Sequence, residues 1–206
     1  MFYDPREKNH GLPHDPFKSC VAPRPIGWIS SVSNTGVTNL APYSFFNAVA
    51  DNPPMVMFAA SGNDIYGLKH TVSNIESTGD FVCNIGTWDL REKLNKTSAP
   101  VSSEINEIEY AGLTEISSKI VKSPRVAESP IHLECEYDQT LDLPFNGEGR
   151  NSLCFGRVVG IHISDDVITD GLIDMSKFRP IARLGYHQYT VVDNVFEMTR
   201  PTVNDL

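Results

Sequence analysis

Read for its alternation of apolar and polar positions, the chain is a succession of strands. The segments "IGWISSVS" (26–33) and "VTNLA" (37–41) flank Asn34-Thr35-Gly36 as a hairpin. They are followed by "PMVMFAAS" (54–61), "DFVCNIG" (80–86), "IHLECEYDQTLDL" (131–143) and "SLCFGRVVGIHIS" (152–164), all rich in β-branched and aromatic residues. Strands this far apart predict a sheet assembled from distant segments. Two stretches break the pattern. In 67–78, Leu68, Val72 and Ile75 recur at helical spacing. In 89–98, Asp89 followed by Glu92 resembles a capping box in which Asp replaces the usual hydroxyl. Two helices are therefore expected over the sheet or its ends. Region 99–130, with Pro100, Pro124 and Pro130, reads as an irregular insertion holding one short strand near "LTEISSKIV". No repeat, low-complexity tract or linker interrupts the chain, which predicts one domain over 1–206.

One stretch departs from a simple core pattern. Asn39, Ser44 and Asn47 sit among Leu40, Tyr43, Phe45 and Phe46. An unpaired buried amide costs roughly 1 to 3 kcal/mol, so these polar groups are expected to meet partners beyond their own strand.

Composition narrows the function classes. A chain of 206 residues with 40% hydrophobic content can bury one substantial core. Its formal charge of -9 argues against nucleic-acid binding, which requires clustered Lys and Arg. The polar, Pro-rich start "MFYDPREKNHGLPHDP" lacks the pattern of a secretory leader, and no apolar run reaches the ~18 residues of a membrane span. The chain reads as cytoplasmic. Cys20, Cys83, Cys135 and Cys154 form no C-x-x-C pair, and the last three fall in strand-like runs, as expected of reduced core thiols. His10 and His14 are four apart, but Gly11 and Pro13 between them deny the helix that would align them for a metal.

Cofactor motifs are sparse. There is no G-x-G-x-x-G, "NGEGR" precedes a strand and reads as a hairpin turn, and no Ser lies in a G-x-S-x-G elbow. The better lead is "SGNDIYGLKHTVSNI". A strand ending at Ser61, a loop with Gly62 and Gly67, and a helix starting near Lys69-His70-Thr71 would aim backbone N–H groups, a hydroxyl and a cation at one spot, which suits a phosphate. Spacing alone favours the plainer alternative, a capped helix with a solvated lysine.

Taken together, "RPIGWISSVS", "NLAPYSFFNAV", "NPPMVMF", Lys69-His70-Thr71 with "SNIESTGDFVCNI", "SPRVAESPIHLEC" and "RPIARLGYHQY" resemble the flavin reductase-like family of the FMN-binding split-barrel fold, flavoredoxin-type members above all. The similarity runs from about residue 20 to 200. It implies a mainly β protein, a Greek-key antiparallel barrel with a few short helices, assembled as a homodimer with noncovalent FMN near the interface. The implied activity is transfer of reducing equivalents from NADH or NADPH to FMN and on to an acceptor such as a partner oxygenase.

On the same resemblance, the strand residues Ser30, Ser31 and Val32, together with Asn39, Leu40, Ala41 and Ser44, border the isoalloxazine ring, largely through backbone and hydroxyl groups. Lys69 and Thr71, with Ser61 nearby, surround the phosphate. His70 stands where many relatives carry Asp. Asn151 stands near a position where some relatives carry His, which bears on nicotinamide turnover. His187, Arg183 and Tyr189 are candidates to approach the flavin or the dimer contact. Hydride transfer to the flavin needs no protein acid or base at the accepting atom, so no catalytic residue is named. Two alternatives stay open: a non-catalytic FMN carrier serving a partner protein, and the chemistry of pyridoxamine phosphate oxidases, which share the fold but lack "NLAPYSFFN".

Overall fold

The hairpin read around Asn34-Thr35-Gly36 is the first unit of the main sheet. Gly27–Val32 (β1) and Thr38–Tyr43 (β2) pair antiparallel from Gly27 opposite Tyr43 to Val32 opposite Thr38. Gly36 turns the chain at φ 84°, and its N–H donates to Ser33 O at 2.9 Å. The computed structural model describes residues 1–64 and 67–203, in backbone only at 63, 64, 67 and 68.

Five more strands complete the sheet: Phe46–Asp51 (β3), Pro54–Ser61 (β4), Asp80–Ile85 (β5), Ile131–Asp142 (β6) and Asn151–Ile163 (β7). Their order is β2-β1-β5-β6-β7-β4-β3, with every neighbouring pair antiparallel. Register shifts in β6–β7 at Glu134/Cys135 and Tyr137/Gln139, and in β3–β4 at Ala48/Ala50, bend the long strands. The sheet curls until Tyr43 of β2 meets Phe58 of β4, ring centroids 4.9 Å apart. β3 is the strand that periodicity misses, because after Phe46 every residue faces outward and no alternation marks it.

Inside the curl lie Ile29, Phe58, Phe81, Cys83, Cys135 and Cys154, joined by Val72 and Ile75 of helix His70–Thr78 (α2; the helix Phe17–Cys20 is α1). The fit is close: a Cβ on Gly156 would collide with the Phe81 ring. Cys83, Cys135 and Cys154 are buried thiols and Cys20 is exposed, none in a disulfide. A second apolar layer, Trp28, Leu40, Leu94, Ile108 and Val126, fills the outer face beneath Arg91–Lys96 (α3) and Glu107–Tyr110 (α4). Trp28 Nε1 donates to Thr97 Oγ1 at 2.8 Å, which fixes the chain leaving α3.

Both predicted helices form, each shorter than read. α2 starts at His70 because Gly67–Leu68 instead pairs as a strand with Asn63–Asp64; the Leu68 side chain of the expected stripe lies outside the described residues. The expected capping box at Asp89 does not form. Burial of Leu90 puts that residue at the cap of α3, where no side chain caps the helix, and leaves Asp89 exposed. In the irregular insertion, Glu115–Ile116 pairs with Arg125–Val126. The segment containing "NGEGR" joins β6 to β7 as a hairpin connection. Among the described residues, no helix is long and apolar enough to cross a membrane.

Candidate functional site

β2 and β4 run to the same end of the curl, where α2 begins. There residues of β2 and the two that follow it, the last residues of β4, the start of α2, Lys18, the segment 97–101 and Glu107 of α4 enclose a cleft of about 400 Å3. Seven of the residues singled out from the sequence line it: Asn39, Ala41, Ser44, Ser61, Lys69, His70 and Thr71. They come from three elements separated in sequence by up to thirty residues, and the sheet order brings them to one wall.

The start of α2 is built to present donors. Lys69 occupies the cap position at φ -57° and ψ 119°, no side chain caps the helix, and its first turn has no acidic residue. Lys69 O accepts from Val72 N (3.1 Å) and Ser73 N (3.3 Å), leaving the amides of His70 and Thr71 without an intrahelical acceptor. These N–H groups and the helix dipole favour an anion. The helix is held in place from its far side. Arg150, on the β6–β7 connection, donates to both oxygens of Glu76 (3.0 and 3.1 Å) and to Asp142 Oδ1 (3.0 Å).

Of the three polar residues of the aromatic run, Asn39 finds partners. Asn39 is buried, and its amide lies 2.8 Å from Thr71 Oγ1. Turned about its axis, the same amide donates to Glu107 Oε1 at 3.2 Å while its oxygen accepts from Thr71 Oγ1. Glu107 Oε2 in turn accepts from Leu40 N at 3.0 Å. Burial, offset only in part by that N–H and Glu107's own, pushes the Glu107 carboxyl up to about 7. Ser44 lines the cleft and two hollows beside it, whereas Asn47 points to solvent.

Ser30, Ser31, Val32 and Leu40 are not brought to the cleft lining. Ser30 Oγ donates to Pro124 O (2.5 Å) and accepts from Asn84 Nδ2 (3.0 Å), and Ser31 Oγ accepts from Asn74 Nδ2 (3.2 Å). Both hydroxyls are thus taken up by the scaffold. Leu40 belongs to the outer apolar layer. Asn151 sits opposite Ser61 in the β7–β4 register and accepts its hydroxyl at 2.6 Å. Arg183, His187 and Tyr189 line the adjoining hollow, which shares Pro42, Ser44 and Ser98 with the main cleft. Arg183 donates to Tyr189 Oη and stacks 4.5 Å from its ring.

Sequence reasoning missed Glu107, Lys18 and the segment Thr97–Val101. The available signal was Asn106, whose side chain accepts from Ile108 N and Glu109 N and so opens a short helix inside the apparent irregular insertion. Nothing in the sequence marks Glu107 as the acid that faces inward.

Residues 19–183 match the family model described as "Flavin reductase like domain". An uncharacterised protein of Aquifex aeolicus is 39% identical over 82% of this chain and 84% of its own. Nitrilotriacetate monooxygenase component B from Bacillus cereus is 31% identical, with a TM-score of 0.87 over 96% of this chain and 98% of its own. A 2-nitrobenzoate 2-nitroreductase of Pseudomonas fluorescens is 27% identical, with a TM-score of 0.79 over 91% and 89%. A flavin reductase-like split barrel from Shewanella frigidimarina, at 23% identity and TM-score 0.81, shares the fold.

Proposed function

The chain belongs to the flavin reductase-like family, and from that premise we propose that it is an oxidoreductase holding noncovalent FMN in the cleft between β2, β4 and α2. The observation that carries the reading is the convergence of Asn39, Ala41, Ser44, Ser61, Lys69, His70 and Thr71 on one cleft, with the uncapped start of α2 among them. The donor set fits the group. Free amides at His70 and Thr71, the Thr71 hydroxyl and the Lys69 ammonium suit a phosphate. A space of about 400 Å3 walled by Ala41, Pro42, Tyr43, Phe45 and Ala59 suits a planar aromatic ring.

FMN bound there would supply the hydride-accepting and electron-donating chemistry. The chain's own residues hold and orient. Lys69, His70 and Thr71 anchor the charged end, and the Asn39 to Ser44 segment provides small residues that allow close approach. Phe45, flanked by Lys18 (5.9 Å) and Arg24 (5.7 Å), borders the mouth. NADH or NADPH is the donor in this reading. The subunits pair as homodimers, supported by the exposed apolar side chains Val195, Phe196 and Met198 on the extended C-terminal segment and Val49 on edge strand β3.

The likeness to a monooxygenase component B supports a second reading, an FMN-dependent module that passes its electrons to a partner oxygenase. Steady-state oxidation of NADH and NADPH by the purified protein, with and without added FMN, tests the first reading. FMN-dependent consumption is expected. Tight FMN binding with no consumption would replace the enzyme by a carrier, and a protein that takes up no FMN would overturn both.

A further inference from the structure

We propose that Glu107 is a positioning residue of the cofactor cleft whose carboxyl takes up a proton when a phosphate-bearing ligand binds at the start of α2. This rests on the flavin reading above, and it adds a group that neither the sequence motifs nor that reading assigns.

Glu107 is 5% exposed, yet it lines the cleft together with Asn39 and Thr71. Three side chains form a short chain of contacts, Glu107 Oε1 to the Asn39 amide at 3.2 Å and the Asn39 amide to Thr71 Oγ1 at 2.8 Å. The heavy-atom positions fit two proton arrangements, because an amide can present either its oxygen or its nitrogen to a neighbour. Leu40 N, 3.2 Å from the Asn39 amide atom that meets Thr71, also donates to that atom when it is the oxygen, and donates to Glu107 Oε2 when it is the nitrogen. With Glu107 ionised, Asn39 Nδ2 donates to the carboxylate and Asn39 Oδ1 accepts the Thr71 hydroxyl hydrogen. That hydrogen is then committed to Asn39. With Glu107 protonated, the carboxyl donates to Asn39 Oδ1 and Asn39 Nδ2 donates to Thr71 Oγ1. The hydroxyl hydrogen of Thr71 is then released to the cleft that Thr71 lines.

A phosphate at the start of α2 selects between the two states. It accepts hydrogen bonds only, so it favours the state in which Thr71 can donate. Its negative charge also disfavours a second anion in the same wall. Both effects act in one direction, so ligand binding and protonation of Glu107 reinforce each other, and the coupling is reciprocal. The balance is fine enough to matter at neutral pH, since burial, offset only in part by the N–H groups of Leu40 and Glu107, has already pushed the carboxyl up to about 7. Among the described residues, the other titratable groups of the cleft are Lys18, Tyr43, Lys69 and His70. On α3, packed against α4, Arg91 stacks on Trp88, Lys93 donates to Gly112 O and Lys96 lies over the Tyr110 ring. His70 is the imidazole among the described cleft residues, so it needs its own control.

The test is calorimetric titration of wild-type protein with FMN at pH 8, in two buffers of different protonation enthalpy. Uptake of between about a half and one proton per FMN is expected, and none with riboflavin, which lacks the phosphate. In parallel, the FMN dissociation constant of wild type should rise roughly tenfold between pH 7 and 8.5. The same titration on Glu107→Gln should be flat, whereas His70→Gln should keep the wild-type slope. FMN binding without proton uptake, or uptake unchanged in Glu107→Gln, overturns this inference alone. If the slope disappears in His70→Gln instead, the proton belongs to the imidazole and the inference fails. No FMN binding under any condition overturns the flavin reading, and this inference with it. The two-buffer measurement needs no variant, so the test holds even if Glu107→Gln does not fold.

Discussion

Two buried glutamates, one on β6 and one on α4, meet opposite fates. Glu134 on β6 is completely buried and accepts from Lys119 N (2.8 Å), Ile120 N (2.7 Å) and Val121 N (3.1 Å), with His162 Nε2 2.5 Å away. Burial would raise its carboxyl, but these donors outweigh burial and hold it down at about 2. Glu107, nearly as buried, receives two backbone N–H groups, Leu40's and its own, and one side-chain amide, too few to offset burial, and it sits at about 7. The difference lies in the donors each site supplies, since both sites remove water. A carboxylate ringed by amides is a fixed structural anion that ties the 118–123 loop to the sheet. A carboxyl short of donors, beside a cleft, stays free to change state.

The largest expected effect in this comparison is on stability. Glu134→Ala would leave three backbone N–H groups facing a cavity and remove the partner of His162. A loss of about 3 to 5 kcal/mol is expected, read by chemical denaturation. Glu134→Gln, which keeps an acceptor oxygen, should lose less; equal losses would show that the amide ring matters little.

The next effect is on pH dependence. Glu134 has its folded value depressed, so its contribution is present above its ordinary value of 4.5 and is lost as pH falls toward about 2. Glu107 has its folded value raised, so the folded state binds the extra proton. Its contribution is full below 4.5 and is lost as pH rises to about 7. In ligand-free protein, Glu107→Gln should therefore flatten the decline between pH 4.5 and 7, a difference of roughly 2 kcal/mol after allowance for solvent screening in the open cleft. A decline unchanged in that variant would mean that Glu107 titrates near its ordinary value.

The smallest effect concerns the clamp on α2. Arg150→Ala removes the contacts to Glu76 and Asp142 at a partly exposed site, for an expected loss of about 1 kcal/mol. Because the clamp sets the position of α2, the same change should weaken FMN binding by a few-fold at most. A loss as large as that of a cleft residue would mean that Arg150 itself reaches the ligand.

The same contrast explains what could be read from the sequence. Six strands and α2 were legible because each carries its own period, as in Val72 and Ile75 of α2, whereas α3 was read from a capping box at Asp89 that does not form. β3 was not, since an edge strand exposed after Phe46 has no alternation to detect. The motif from Asn39 to Ser44 and the run from Lys69 to Thr71 pointed to the cleft, and both segments contribute to its lining. Ser30 and Ser31 were drawn into the candidate site by resemblance, whereas their hydroxyls serve Pro124, Asn84 and Asn74. That distinction depends on which face of β1 each residue takes and on what packs there. Glu107 was invisible for the same reason: nothing in "NEIEY" separates an inward acid from an outward one until α4 is docked on β2.

The central claim, that the start of α2 holds the phosphate of FMN, is tested most directly by paired titrations of FMN and riboflavin against wild type and Lys69→Ala. A charge-assisted contact is worth roughly 1.5 to 3 kcal/mol, so the substitution should weaken FMN about 10- to 150-fold and leave riboflavin nearly unchanged. Thr71→Val should show the same selectivity at smaller size. Equal losses for both ligands, or no loss for either, would contradict the claim.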